Sequence, residues 1–137
     1  MGLAERRAAT DFETQIYPEL KKQIDAAAGF EVPVEVRWDT MMRQEKYVKG
    51  WKENWPKLYF KPIVAAFQAI CIDEMGKSAL KEILKKVVIQ DTKSSHSSNW
   101  AEFDKATGTL TLDHQYTNVS EEKSRADIMR NVLERAM

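Results

Sequence analysis

The sequence predicts one α+β domain over residues 1–137, with helices packed on one face of a small, mainly antiparallel sheet of about four strands. Three observations lead to this fold class. The first thirty residues have helical periodicity, a valine-rich segment alternates with period two, and the last third holds three short strand-like runs around a tight turn. The expected order is α-β-α-α-α-β-β-β-α, which forms two layers. A length of 137 residues is typical of a single domain.

The first element is a predicted helix over residues 3–28. Apolar side chains recur at every fourth position and would line one face, namely Phe12, Ile16, Leu20 and Ile24. Gly29 can end this helix, because glycine adopts the left-handed cap conformation without strain. Pro18 lies inside it, and because proline removes a backbone donor and crowds the preceding turn, we expect a kink or a break there.

Residues 31–39 form the clearest predicted strand. The apolar side chains Val32, Val34, Val36 and Trp38 alternate with charged ones, so one face should lie on the core and the other in water. Pro33 cannot donate a hydrogen bond to a neighbouring strand. Its presence favours an edge position or the start of the strand.

The middle of the chain is predicted to be helical over residues 41–54, 62–72 and 74–85. Between the first two of these helices, Pro56 and Pro62 bracket an expected extended piece at residues 57–60. Asp73 can cap the last helix. The expected buried stripe of that helix consists of Met75, Leu80, Ile83 and Leu84.

The last third predicts strands at residues 87–91, 100–104 and 109–114. Gly108 can supply the positive φ that a tight turn at residues 104–109 requires. Ser120 would cap a final helix with the apolar stripe Ala126, Met129, Val132, Leu133 and Ala136.

Composition restricts the classes of function. Lys and Arg number 21, as do Asp and Glu, and the resulting zero net charge argues against bulk attraction to nucleic acid or to an anionic membrane. Cys71 is the single cysteine, so it forms no internal disulfide and we expect it to be buried as a small hydrophobe. The chain lacks a signal-like or membrane-spanning apolar run, which predicts a cytoplasmic protein. No nucleotide-binding, zinc-finger or EF-hand motif is present, so we expect no cofactor.

Three segments together resemble a known class of proteins, namely residues 30–39, 73–77 and 100–119. Their pattern is similar to that of small uncharacterised bacterial α+β proteins of unknown function, which have a helix, a valine-rich strand, a helical middle and a C-terminal hairpin with a helix. The resemblance implies the fold. It implies no activity, cofactor or catalytic residue.

Aromatic content gives the leading functional hypothesis. The chain has four tryptophans, and Trp38, Trp51 and Trp55, together with Tyr59, are candidates for an exposed anchor. Because no catalytic motif is present, we expect a non-enzymatic interaction module that binds a protein partner or forms a homo-oligomer. The alternative interpretation is that these rings are buried core.

The two histidines, His96 and His114, give a second hypothesis. His114 could act as a base oriented by Asp91 or Glu102, with a hydroxyl from the serine-rich loop at residues 93–99 as the nucleophile of a small hydrolase. The alternative is a core or strand-end histidine bonded to backbone. His96, His114 and a carboxylate could also converge on a metal, but no ligand spacing supports this, and we expect none.

A third hypothesis concerns residues 43–61. This segment has six basic and two acidic side chains, interleaved with Tyr47, Trp51, Trp55, Tyr59 and Phe60. Basic groups beside exposed aromatic faces are what single-stranded nucleic acid requires. The alternative places the aromatics in the core and the lysines in water beside it.

Overall fold

The computed structural model describes residues 2–42, 48–92, 100–113 and 122–137. Its α-helices are α1 (Leu3–Asp11), α2 (Tyr17–Ala28), α3 (Trp38–Met41), α4 (Trp51–Trp55), α5 (Lys61–Ile70), α6 (Glu74–Ile83) and α7 (Glu122–Glu134). Two π-helical turns are present, π1 (Phe12–Ile16) and π2 (Pro56–Phe60). The strands are β1 (Val34–Val36), β2 (Lys86–Gln90), β3 (Ala101–Asp104) and β4 (Thr109–Asp113).

The four strands form one sheet in the order β1-β2-β4-β3. The α+β class and the strand number are confirmed, but the prediction of a mainly antiparallel sheet is wrong. β1 pairs with β2 in parallel, β2 pairs with β4 in parallel, and only β3 and β4 are antiparallel. The chain between β1 and β2 passes through several helices and comes back to the end of the sheet where β1 began. A connection of this length allows β2 to run parallel to β1. The tight turn before β4 is confirmed, with Gly108 at φ 71°.

The valine-rich strand is shorter than predicted. Only Val34–Val36 pair with β2, and β1 lies at the sheet edge, which agrees with Pro33 beside it. The carbonyl of Pro33 still accepts a hydrogen bond from the amide of Val87 at 2.9 Å. Val32, Val34 and Val36 all pack on the core, as expected. Trp38 begins the short helix α3 instead of continuing the strand.

The helices cover one face of the sheet. Val87 and Ile89 of β2 belong to the hydrophobic core, whereas Val88, between them, points to the opposite face. On the helical side, α5 packs against both α2 and α7. Ala126, Met129 and Leu133 of α7 are buried, so the predicted stripe of the final helix is confirmed at these positions.

Both π-helical turns precede a proline at the same spacing. π1 ends one residue before the Tyr17-Pro18 pair and π2 one residue before the Lys61-Pro62 pair. A proline ring inside an α-helix clashes with the carbonyl four residues earlier, and the wider π turn relieves this contact. Pro18 therefore widens the first helical stretch where we expected a kink or a break. The expected extended piece at residues 57–60 is also wrong, since it belongs to π2.

Helix α6 confirms the predicted cap and corrects one core residue. The Asp73 carboxylate accepts a hydrogen bond from the amide of Gly76 at 2.8 Å. Leu80 and Leu84 are buried, but Met75 is 81% exposed. Met75 precedes Leu80 by five residues, which places the two side chains about 140° apart around a helix of 3.6 residues per turn.

Candidate functional site

The aromatic side chains proposed as an exposed anchor are mostly core. Trp51, Trp55 and Tyr59 are at most 1% exposed, and Trp38 is half-buried. The ring centroids of Trp38 and Trp55 are 5.7 Å apart, and Trp51 stacks on Trp55 with a centroid distance of 4.6 Å. Three of the four rings therefore present no accessible surface to a partner. These three rings match the alternative interpretation of the sequence, in which the aromatic side chains are buried in the core.

The basic segment also lacks an accessible aromatic surface in its described part. Trp51, Trp55, Tyr59 and Phe60 are all buried, whereas Lys52, Lys57 and Lys61 are exposed. Bases stack only on accessible ring faces. Arg43, Lys46 and Tyr47 lie outside the described residues.

The hydrolase and metal hypotheses depend on residues outside the described part of the chain. His96, His114 and all serines of residues 93–99 fall there. Of the carboxylates suggested to orient His114, Asp91 is buried and Glu102 is exposed. Among the described residues, no group of three or more His, Cys, Asp or Glu side chains could hold a metal ion.

A polar network does lie at the carboxyl ends of the three parallel strands, where α/β proteins often bind ligands. Arg37 donates to the Gln90 side chain at 2.7 Å, and Gln90 donates to Asp113 at 2.9 Å. Asp113 is buried and also accepts from the amide of Thr92 at 2.8 Å and from the Thr92 hydroxyl. Through these hydrogen bonds the Asp113 carboxylate ties the ends of the strands together.

The same network extends along the outer face of the sheet to Glu35. Its carboxylate accepts from Lys86 at 2.9 Å and from Arg37 at 2.7 Å. The pKa of Glu35 is lowered from 4.5 to about 2. The hydrogen bond from Lys86 is the largest cause of this shift, and the hydrogen bond from Arg37 is the next. The side chain is 42% exposed, so solvent screens the pairing.

This pairing gives a pH prediction. Because the pKa of Glu35 is lower in the folded state, its contribution to stability is complete above about pH 4.5 and is lost as the pH falls toward 2. A carboxyl ¹³C NMR titration should give a Glu35 pKa near 2, and Lys86→Met should move it toward 4.5. A wild-type value near 4.5 would show that the bridge does not form in solution.

A different region carries the most exposed apolar side chains. Of the described residues, four large apolar ones are exposed: Leu3, Ile72, Met75 and Met137. Leu3 and Met137 lie beside the ends of the sequence. Ile72 lies between α5 and α6, and Met75 lies three positions later in the first turn of α6; 84% and 81% of their surfaces are accessible. We call residues 71–77, which connect these two helices and begin α6, the α5–α6 corner.

Several contacts hold the α5–α6 corner in place. The Cys71 amide donates to the carbonyl of Phe67 at 2.8 Å, and the Lys77 amide donates to that of Asp73 at 3.1 Å. Gly76 packs so closely on Ile70 that a Cβ there would lie 1.7 Å from its carbonyl oxygen. The two exposed side chains therefore project from a fixed backbone, and a partner would order little chain on binding.

Cys71 anchors the corner to the core. It is buried, and its thiol donates to the carbonyl of Ala28 at 3.7 Å. Burial raises the pKa of the Cys71 thiol, while the nearby charge of Lys77 lowers it. The thiol therefore stays neutral near pH 7 and packs as a small hydrophobe, as the sequence predicts.

Two grooves lie beside the corner and share Lys77. One has a volume of about 420 Å³ and is lined by Gln23, Ala26, Ala27, Val64, Gln68, Cys71 and Lys77. The other has about 220 Å³ and is lined by Ala28, Gly29, Phe30, Glu74, Lys77, Ser78 and Lys81. The walls of both grooves mix apolar and charged side chains, and neither groove is lined by Ile72 or Met75.

The sequence does not predict this surface, because Met75 falls in the expected buried stripe of α6 and Ile72 at the expected end of an apolar helix. The five-residue spacing between Met75 and Leu80 was the available signal. A second signal was the position of Ile72, which lies directly before Asp73, the residue that caps α6.

Comparisons with known proteins give no relative: no family model, no curated protein and no solved structure matches this chain. The resemblance to small bacterial proteins thus stays a prediction. In the described part of the chain, none of the helices has the length and apolar character needed to cross a bilayer.

Proposed function

We propose that this chain is a non-enzymatic interaction module that binds a protein partner through the α5–α6 corner. The exposure of Ile72 and Met75, three positions apart in the α5–α6 corner, carries this proposal. Large apolar side chains at the centre of an interface, surrounded by polar groups, usually contribute most of its binding energy. The proposal keeps the class of function that the sequence suggests and moves the surface away from the tryptophans.

The size of the expected effect follows from the area that a partner would cover. Fully burying a side chain as large as isoleucine or methionine stabilises by about 1.5–3 kcal/mol. Losing about 2 kcal/mol at either position would weaken binding roughly 30-fold. Because both side chains are exposed, replacing them should change the stability of the free chain by less than about 0.5 kcal/mol.

The other two hypotheses have less support from the described residues. Nucleic-acid binding lacks accessible rings for base stacking in the described part of the basic segment. A hydrolase built on His114, His96 and the serine-rich loop stays a prediction, since those residues lie outside the described part. The cytoplasmic location also stays a prediction.

Site-specific photo-crosslinking tests the proposed surface. A benzophenone amino acid is placed at Met75, or at Lys105 in the hairpin turn as the control, and the full chain is expressed in its source cells. We expect a discrete adduct from position 75 that is absent from position 105 and is lost when Ile72→Asp is added. An adduct of twice 15.8 kDa would identify the partner as a second copy.

Two outcomes would contradict the proposal. One is that position 75 gives no adduct beyond that of position 105. The other is that the adduct persists with Ile72→Asp, because an apolar contact at the corner cannot tolerate an unpaired carboxylate. The Ile72→Asp chain should retain the circular dichroism spectrum and the thermal midpoint of the wild type, which separates lost binding from lost folding.

A further inference from the structure

A cavity of about 190 Å³ lies between the first helical stretch and α4, away from the α5–α6 corner. It is lined by Ala8, Asp11, Phe12, Gln15, Ile16, Val48, Trp51 and Lys52. Phe12 and Trp51 are almost fully buried, while Asp11, Gln15 and Lys52 are exposed. The accessible part of the lining is therefore the half-buried Ala8, Ile16 and Val48 together with the three polar side chains, while the two rings contribute almost no accessible surface.

The π-helical turn π1 borders the cavity. Phe12, Gln15 and Ile16 belong to π1, the turn that Pro18 widens. A π turn displaces the side chains that follow it from the regular α-helical positions. Short π-helical turns inside α-helices are frequent at functional sites.

The two buried rings beside the cavity pack against other aromatic side chains, which fixes their positions. Phe12 lies 5.1 Å from Trp55 in an edge-to-face contact and 5.7 Å from Phe60 in a stacked one. Trp51 stacks on Trp55 at 4.6 Å. Aromatic pairs with these geometries stabilise each other, and the space between them and the polar groups is formed before any ligand arrives.

We propose that this cavity binds a small apolar molecule that carries one polar or charged substituent. An apolar cavity of about 150 Å³ binds benzene. The larger volume here admits a single ring with a substituent, which Ala8, Ile16 and Val48 would contact. The carboxylate of Asp11, the amide of Gln15 and the ammonium of Lys52 supply acceptors and donors for that substituent.

NMR titration of the full chain with benzylamine, benzoate, benzyl alcohol and toluene tests the proposal. We expect saturable shifts of the Val48 and Ile16 methyl signals for at least one substituted probe, with a Kd of about 1 mM or tighter, and at least tenfold weaker binding of toluene. Lys52→Gln should weaken benzoate selectively and Asp11→Asn should weaken benzylamine selectively. These two variants therefore identify the charge that the site prefers.

Cavity-filling variants separate binding in the cavity from binding on the surface. Ala8→Leu, on α1, should weaken the bound probe at least tenfold, whereas Ala4→Leu, exposed on the same helix, should not. Val48→Phe fills the cavity from another segment and replaces Ala8→Leu if that variant fails to fold. No saturable shift with any probe, or equal binding by the folded cavity-filling variants and the wild type, would overturn the proposal.

Discussion

Trp55→Ala is expected to lower the free energy of unfolding by about 3–5 kcal/mol, the usual cost of removing a large aromatic side chain from a core. Trp55 has no exposed surface and lies at the centre of the aromatic cluster, between Phe12, Trp38 and Trp51. Domains of this size are stable by about 5–15 kcal/mol, so the loss is a large fraction of the total. Urea denaturation followed by circular dichroism measures it.

Two variants make this expectation specific. Trp38→Ala removes a half-buried ring from the same cluster and should cost clearly less than Trp55→Ala. Trp55→Phe keeps an aromatic ring and also removes an indole N–H that is buried without an acceptor in the described part of the chain, so it should cost less than Trp55→Ala. A loss below about 1 kcal/mol for Trp55→Ala would place this ring outside the core.

Gly76→Ala is expected to destabilise the chain by about 3 kcal/mol, against the trend for glycine in helices. Replacing a helical glycine by alanine usually stabilises by about 1 kcal/mol. At this position a Cβ would lie 1.7 Å from the carbonyl oxygen of Ile70, which is backbone and cannot rotate away. The N-terminus of α6 must therefore move, and the Asp73 cap should be lost with it.

Ser78→Ala on the exposed side of α6 is the matched control, and its unfolding free energy should change by less than about 0.5 kcal/mol. If Gly76→Ala stabilised the chain, the close packing of the α5–α6 corner would be incorrect. Because the corner carries the proposed docking surface, Gly76→Ala should also weaken the photo-crosslink from position 75.

Local patterns in the sequence predicted much of the fold. The alternation of Val32, Val34 and Val36 fixed the core face of β1, and Gly108 marked the hairpin turn. Asp73 marked the start of α6. Each of these features depends on neighbouring residues alone, through side-chain alternation, backbone conformation or capping, and a single sequence contains that information.

The features that failed depend on distant parts of the chain. The direction of a strand relative to its neighbours depends on which strands pair. β4 lies between β2 and β3, and its pairing with β2 places Leu110 beside Val87 on the core face. Alternation within a strand does not reveal its partner. The π turns arise from Pro18 and Pro62. A proline in a helical segment predicts that the helix is disturbed, but it does not show whether the helix widens into a π turn or breaks.

The candidate surface was harder to predict than the fold. The tryptophans are large enough to anchor a partner or to fill a core, and composition does not distinguish the two roles. Their burial follows from the packing of α1, π1, α4 and π2 together. Ile72 and Met75 look like core residues in the sequence, and only the orientation of α6 shows that they point into water.

The exposure of Met75 in the free chain tests the central claim most directly. Methionine methyl groups labelled with ¹³C are observed while a soluble gadolinium chelate is added to a dilute, monomeric sample. The Met75 signal should broaden strongly, while Met41 and Met129, which have no exposed surface, should keep their linewidths. A Met75 methyl as protected as those two would contradict the proposed docking surface.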